Sequence, residues 1–101
     1  MLNFEWDQEK EQDNISLHGV NFTDASEVFR DYFRIERHDD DSSDYEDRYQ
    51  TMGYYHDVLF VVYTERTDAI RIISARVAEP FERRIYANSE TLSGGWERIN
   101  R

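Results

Sequence analysis

The sequence contains no cysteine. Disulfides and thiolate metal sites are therefore excluded, and a reducing compartment is consistent. It contains one lysine, Lys10, so nearly all of its positive charge is carried by arginine. No apolar run approaches the ~20 residues needed to cross a bilayer, and the opening MLNFEWDQEK lacks the layout of a signal peptide. The expectation is a soluble, cytoplasmic chain with no membrane partner. At 101 residues it should form one domain, large enough to bury a modest core without staples.

What is abundant is acid. Lys and Arg total 12 against 22 Asp and Glu, a formal charge of −10. Residues 1–50 carry 15 acids and 5 bases, whereas residues 51–101 carry 7 of each, so the excess lies wholly in the first half. Polyphosphate is repelled by such a chain at long range. An RNA site would have to be a local basic patch, and the stretch with Arg66, Arg71, Arg76, Arg83 and Arg84 is where one can form.

Hydrophobic spacing gives the elements. Leu2 to Trp6 alternates as a half-buried strand does. Asp7 reads as an N-cap for a helix from Gln8 to Leu17, closed by His18 and Gly19. Val20 and Phe22 read as core plugs. Thr23 reads as the next N-cap, opening a helix over Asp24–Asp31 with Ala25, Val28 and Phe29 facing inward. Tyr32–Arg37 reads as a strand, and His38–Asp44 as a solvated acidic loop without the spacing of a calcium loop. Arg48–Tyr55 reads as a strand in which Gly53 marks a bulge or an end. Val58–Thr64 is an unbroken β-branched and aromatic run, as in a central strand buried on both faces. A turn over Glu65–Asp68 leads to a strand over Ala69–Val77. Glu79 and Pro80 open a last helix, with Phe81, Ile85 and Tyr86 on its apolar side and Asn88 and Ser89 at its end. The order β-α-α-β-β-β-β-α predicts an α+β domain: a small antiparallel sheet with two N-terminal helices and one C-terminal helix, the helices grouped on one side. Residues 1–90 form this domain, and 91–101 form a loosely held tail in which Trp96 and Ile99 can dock.

Several blocks in this order resemble the BrnT family. Phe4-Glu5-Trp6-Asp7, Lys10, Asn14, His18-Gly19-Val20 and Phe22 match its opening, and Ala25, Val28-Phe29 and Asp31 continue it. Glu46, Arg48-Tyr49 and Gly53 resemble its central segment. Val61 to Arg66, Ile70 to Arg76, Ala78, Glu82-Arg83 and Tyr86 resemble its C-terminal core. The resemblance implies a fold like that of the RelE and ParE toxins and metal-independent cleavage of RNA, with no cofactor. It also implies neutralisation by a BrnA-type antitoxin, which alone brings DNA into play. The chain departs from the pattern at Leu17 and Val77, where the family commonly has lysine.

Metal-free RNA cleavage uses the substrate's 2′-hydroxyl as nucleophile. The site must move its proton, protonate the leaving oxygen and stabilise charge on phosphorus. Arginine suits the last task, as a fixed and permanently charged fork. The candidates are Arg71 and Arg76, with Arg83 from the last helix. Five residues separate Arg71 from Arg76, so a regular strand sends them to opposite faces: either one lies at a bulge or end, or only one faces the site, and closeness in sequence favours Arg76 with Arg83 in one patch. Alternatively, Arg71 pairs with an acid such as Glu65 across a hairpin. His18 is the proton-transfer candidate, or else it caps the first helix. Tyr86 assists the leaving group, or else belongs to the core. Glu46 and Arg48 can form a structural ion pair, and Trp6 reads as core. Two other functions fit the residues: a degenerate toxin that grips its antitoxin without cutting, and an acidic mimic of nucleic acid.

Overall fold

The computed structural model describes residues 2–88 and 92–99. Its elements in chain order are β1 (Phe4–Glu5), α1 (Gln8–His18), α2 (Phe22–Glu27), β2 (Ile35–His38), β3 (Arg48–Tyr55), β4 (Asp57–Glu65), β5 (Ile70–Val77), α3 (Pro80–Ala87) and β6 (Glu97–Arg98). A 3₁₀ turn, Val28–Arg30, extends α2, and another, Asp40–Ser42, lies in the acidic loop. The fold class is α+β, with the sheet ordered β1-β5-β4-β3-β2-β6. No helix among the described residues is long and apolar enough to cross a membrane.

β2 to β5 form the expected antiparallel meander. β1 departs from it, pairing parallel to β5 through Phe4↔Ile70 and Glu5↔Arg71. Nor do the helices group on one side. On β4, Leu59, Val61 and Tyr63 face Val20, Phe22, Ala25, Val28 and Phe29 around α2, whereas Val58 and Phe60 face Ile85 and Tyr86 of α3 together with Trp96. The physical reason is β4 itself. A strand apolar on both faces must be covered on both, or one row of its side chains stays in water.

Polar side chains set the helix positions. Asp7 accepts from the Lys10 N–H at 3.0 Å, and Gly19 closes α1 at φ 72°. The buried residues of α1 are Glu11 and Asn14, both polar. Glu11 accepts the Phe22 N–H at 2.8 Å. Asn14 donates to the carbonyls of Val20 and Ala75, each at 2.8 Å, and accepts the Ala75 N–H at 3.1 Å. It thereby substitutes for a neighbouring strand where β5 runs on past short β1. α2 starts earlier than its spacing suggests because Asn21, not Thr23, caps it, accepting the Asp24 N–H at 2.7 Å. Tyr32 and Phe33 lie in a turn rather than in β2. Asp31 accepts the Phe33 N–H there at 3.0 Å, and both aromatic rings remain exposed. Phe81 is likewise exposed, leaving Ile85 and Tyr86 as the packed side of α3.

The C-terminal segment is tied down across 92–99. Trp96 is 5% exposed. β6 pairs with β2, and the Ile99 N–H donates to the Arg34 carbonyl at 3.2 Å. The segment's apolar residues are few and interrupted by Ser93, Gly94 and Gly95, so spacing alone leaves it in a loose tail. Ser89 and Glu90 lie outside the described residues.

Gly53 is neither bulge nor strand end. It sits in regular register opposite Leu59, and a Cβ there would lie 2.8 Å from both the Cβ and the carbonyl oxygen of Val28. The missing side chain is what lets the 3₁₀ turn press onto β3. Gly53→Ala should therefore lower stability by about 1–3 kcal/mol, read from the urea midpoint.

Candidate active site

β5 resolves the geometric difficulty of Arg71 and Arg76. Val62 lies opposite Ser74 and Tyr63 opposite Ile72, so Ile73 is an extra residue in the strand. Arg71 then falls opposite Thr64, and Arg76 opposite Phe60. Thr64 and Phe60 share a face of β4, so the two arginines share it as well. The register also puts Arg48 opposite Thr64, Gln50 opposite Val62, and Arg37 opposite Gln50. Arg37, Arg48, Arg71 and Arg76 thus belong to one sheet face, the face over which α3 and Trp96 close at Met52 and Phe60. By residue type and spacing alone Arg37 does not stand out, and Arg48 reads only as half of a structural ion pair. Alternation along β2 and β3 is their signal, and it becomes readable only once the strand register is known.

Arg76 is held firmly. Its Nη1 and Nη2 donate to the two carboxylate oxygens of Glu82 at 2.7 and 2.9 Å, and its guanidinium lies 4.2 Å from the centre of the Phe60 ring. Glu82 is buried and also accepts the Glu79 N–H at 2.7 Å, completing the capping box of α3. Burial opposes the charge on Glu82. The bonds from Arg76 and Glu79 outweigh it, and the carboxyl is held below the usual carboxylate range. The same pairing raises the pKa of Arg76.

The other candidates are also engaged, except one. Arg71 donates to Glu5 at 2.7 Å, so its partner is on β1 rather than Glu65. Both side chains of that pair are partly exposed, where ion pairs contribute little. Arg83 donates to Asp57, which lowers the pKa of that carboxyl. The Tyr86 hydroxyl donates to Asp31. Burial and that carboxylate push the phenol well above its ordinary value. His18 is exposed at the end of α1, without a bonded partner among the described residues. It lines a shallow depression with Lys10, Asn14 and the bulge residues Ile73 and Ser74. The structure therefore brings Arg71 and Arg76 to one face, packs α3 with Arg83 and Tyr86 onto it, and leaves His18 at the edge of β5. Leu17 and Val77 are exposed apolar residues at 76% and 41%. Glu46 pairs with Arg66 at 3.2 Å, not with Arg48.

His38 ends β2 rather than lying in the loop. Its Nδ1 is 2.6 Å from Asp40 and its Nε2 3.0 Å from Asp47, and these hydrogen bonds raise its pKa. It lies opposite Tyr49, hence on the other face from the arginines. Among the described residues, no three of His, Asp and Glu converge where a metal ion could be held.

The depressed Glu82 carboxyl gives a pH prediction. Its charged form is favoured in the folded state, so the stabilisation is present above the unfolded-state value of about 4.3 and disappears as pH falls through the lower folded-state value. Wild type should be more stable than Glu82→Gln at pH 7, and the gap between their urea midpoints should close below about pH 4. A gap that stays constant with pH contradicts the pairing.

A family model described as "Ribonuclease toxin, BrnT, of type II toxin-antitoxin system" matches residues 6–82. No curated protein matches the sequence. Among solved structures, the crystal structure of the Brucella abortus ribonuclease toxin BrnT is similar. It is 25% identical, with a TM-score of 0.60, over 78% of this chain and 99% of that one. Fold, family match and sequence blocks agree, and the chain belongs to the BrnT family of ribonuclease toxins of type II toxin–antitoxin systems.

Proposed function

We propose that this chain is a metal-independent endoribonuclease on a RelE/ParE-like scaffold. It acts in the cytoplasm, inhibits translation by cutting RNA, and is neutralised by a BrnA-type antitoxin. DNA enters only through that antitoxin. The scissile phosphodiester lies on the arginine-bearing sheet face, where Arg71 and Arg76 stabilise the charge that develops on phosphorus. Arg83 and Tyr86 act from α3. His18, at the edge of β5, is the group that moves the proton.

The observation that carries this reading is the extra residue Ile73. Without it Arg71 and Arg76 would lie on opposite faces, and with it their guanidiniums share the face of Arg37 and Arg48. Guanidiniums on one face suit a phosphodiester anion because they donate in a fixed plane and hold their charge at every physiological pH. A local patch of this kind also answers the overall charge of −10. Binding relies on short-range contact, with long-range attraction absent.

A second function is favoured by a different observation. Arg71, Arg76 and Arg83 each pair with a carboxylate, namely Glu5, Glu82 and Asp57. In a degenerate toxin that binds its antitoxin without cutting, those pairs are purely structural. In a cleaving toxin, the substrate phosphate displaces the exposed carboxylates.

A cleavage assay on naked RNA with chelator present separates the two. Wild type should cut under chelation, and Arg71→Ala should slow cutting by on the order of 10²-fold without loss of fold. Arg76→Ala should abolish cutting and also lower the melting temperature, because it strands the buried carboxylate of Glu82. Loss of cutting on chelation ends the metal-free reading. No cutting by wild type, with intact antitoxin binding, selects the degenerate binder.

A further inference from the structure

Two arginines of the site face, Arg37 and Arg48, have no carboxylate within ion-pair distance among the described residues. Arg37 is nonetheless rigidly held, by neutral groups alone. Its Nε donates to Gln50 Oε1 at 2.7 Å and its Nη1 to the Gly94 carbonyl at 2.7 Å. The guanidinium lies over the Trp96 ring, 4.5 Å from its centre. Its Nη2 has no hydrogen-bond partner among the described residues.

The location is the Arg76–Glu82 pair. Arg37 is close enough that its charge helps hold the Glu82 carboxyl ionised. Arg76 is already answered by Glu82 and Glu79, whereas Arg37 adds a positive charge beside that cluster with no carboxylate bonded to it among the described residues. We propose that Arg37 is a phosphate-binding residue of the RNA site, and that the C-terminal segment Leu92–Ile99 belongs to that site because it orients Arg37.

The segment is built for orientation. Trp96 plugs the core against Phe60, with ring centres 5.9 Å apart. Arg98 donates to the carbonyls of Phe33, Tyr86 and Asn88 at 2.6, 3.1 and 3.0 Å, fastening β6 to α3. A guanidinium pinned by neutral partners keeps its full charge and has already lost its rotamer freedom, so capturing an anion costs it little. Arg71 must first release the exposed carboxylate of Glu5. The family match stops at residue 82, so the segment that orients Arg37 lies outside the matched span. Trp96 is a positioning residue in this scheme, acting only through Arg37.

The inference rests on the RNA-binding reading of this face, and one experiment distinguishes the two. The full-length chain is titrated against a short single-stranded RNA whose riboses are 2′-O-methylated, so that it binds without being cut. Fluorescence anisotropy is read over a range of salt concentrations. Arg37→Gln should weaken binding about tenfold with only a small fall in melting temperature, the chain staying folded at the assay temperature, and should lower the slope of log affinity against log salt by about 0.7. Arg37→Lys should keep the slope while recovering only part of the affinity. Trp96→Leu should weaken binding in the wild-type background yet change nothing when added to Arg37→Gln, and Trp96→Phe should restore binding. If Arg71→Ala weakens binding while Arg37→Gln leaves affinity and slope untouched, the role of Arg37 is refuted and the face survives. If neither substitution alters binding, the RNA reading of the face falls with it.

Discussion

Strand β4 is apolar on both faces, and that constraint organises the molecule. Covering one face takes Val20, Phe22 and the packed side of α2. Covering the other takes α3 and Trp96. Two small cores on opposite sides of one sheet are the result, and each needs its cover fixed in place. α3 is fixed by Glu82, whose carboxylate takes two bonds from Arg76 and one from its own capping box. The C-terminal segment is fixed by Arg98 and by β6. On the opposite side, α1 is fixed by Glu11 and Asn14 rather than by an apolar stripe. Hydrogen bonds to buried polar groups thus set where the covers sit, and apolar area supplies the drive to have them.

The candidate site is what those covers leave. α3 and Trp96 close over the Met52–Phe60 part of the second face, and the rows carrying Arg37, Gln50, Arg48 and Arg71 lie beside them. The bulge at Ile73 decides that both arginines of β5 lie on this face. One added residue in β5 turns Arg76 toward the face that already holds Arg71. The same bulge leaves the Ala75 backbone groups to Asn14, which blunts the edge of β5. A single irregularity therefore serves both the arrangement of charge and the closure of the sheet.

The spacing of apolar residues made β3, β4, β5 and α3 legible within a residue or two, because long runs such as Val58–Thr64 and Ala69–Val77 have one sensible conformation. β1, β2 and β6 are short, and their limits depend on partners distant in sequence. Tyr32 and Phe33 look like strand residues, yet the carboxylate and carbonyl of Asp31 fold them into a turn. Arg71 and Arg76 stand out by residue type, whereas Arg37 gains its place only through Gln50, Gly94 and Trp96, which reach it from three separate stretches of chain.

By itself the sequence determined the α+β class, the central strand, the caps at Asp7 and Gly19, the local supply of arginine and the kinship with BrnT toxins. These follow from spacing, residue type and ordered blocks, which act over a few residues at a time. The tertiary structure alone decided that the helices occupy both faces, that β1 runs parallel to β5, and that Trp96 is core. It also decided which carboxylate each arginine meets. Those outcomes depend on strand register and on which surfaces remain uncovered once every apolar row is buried, and neither is written in any local stretch of chain.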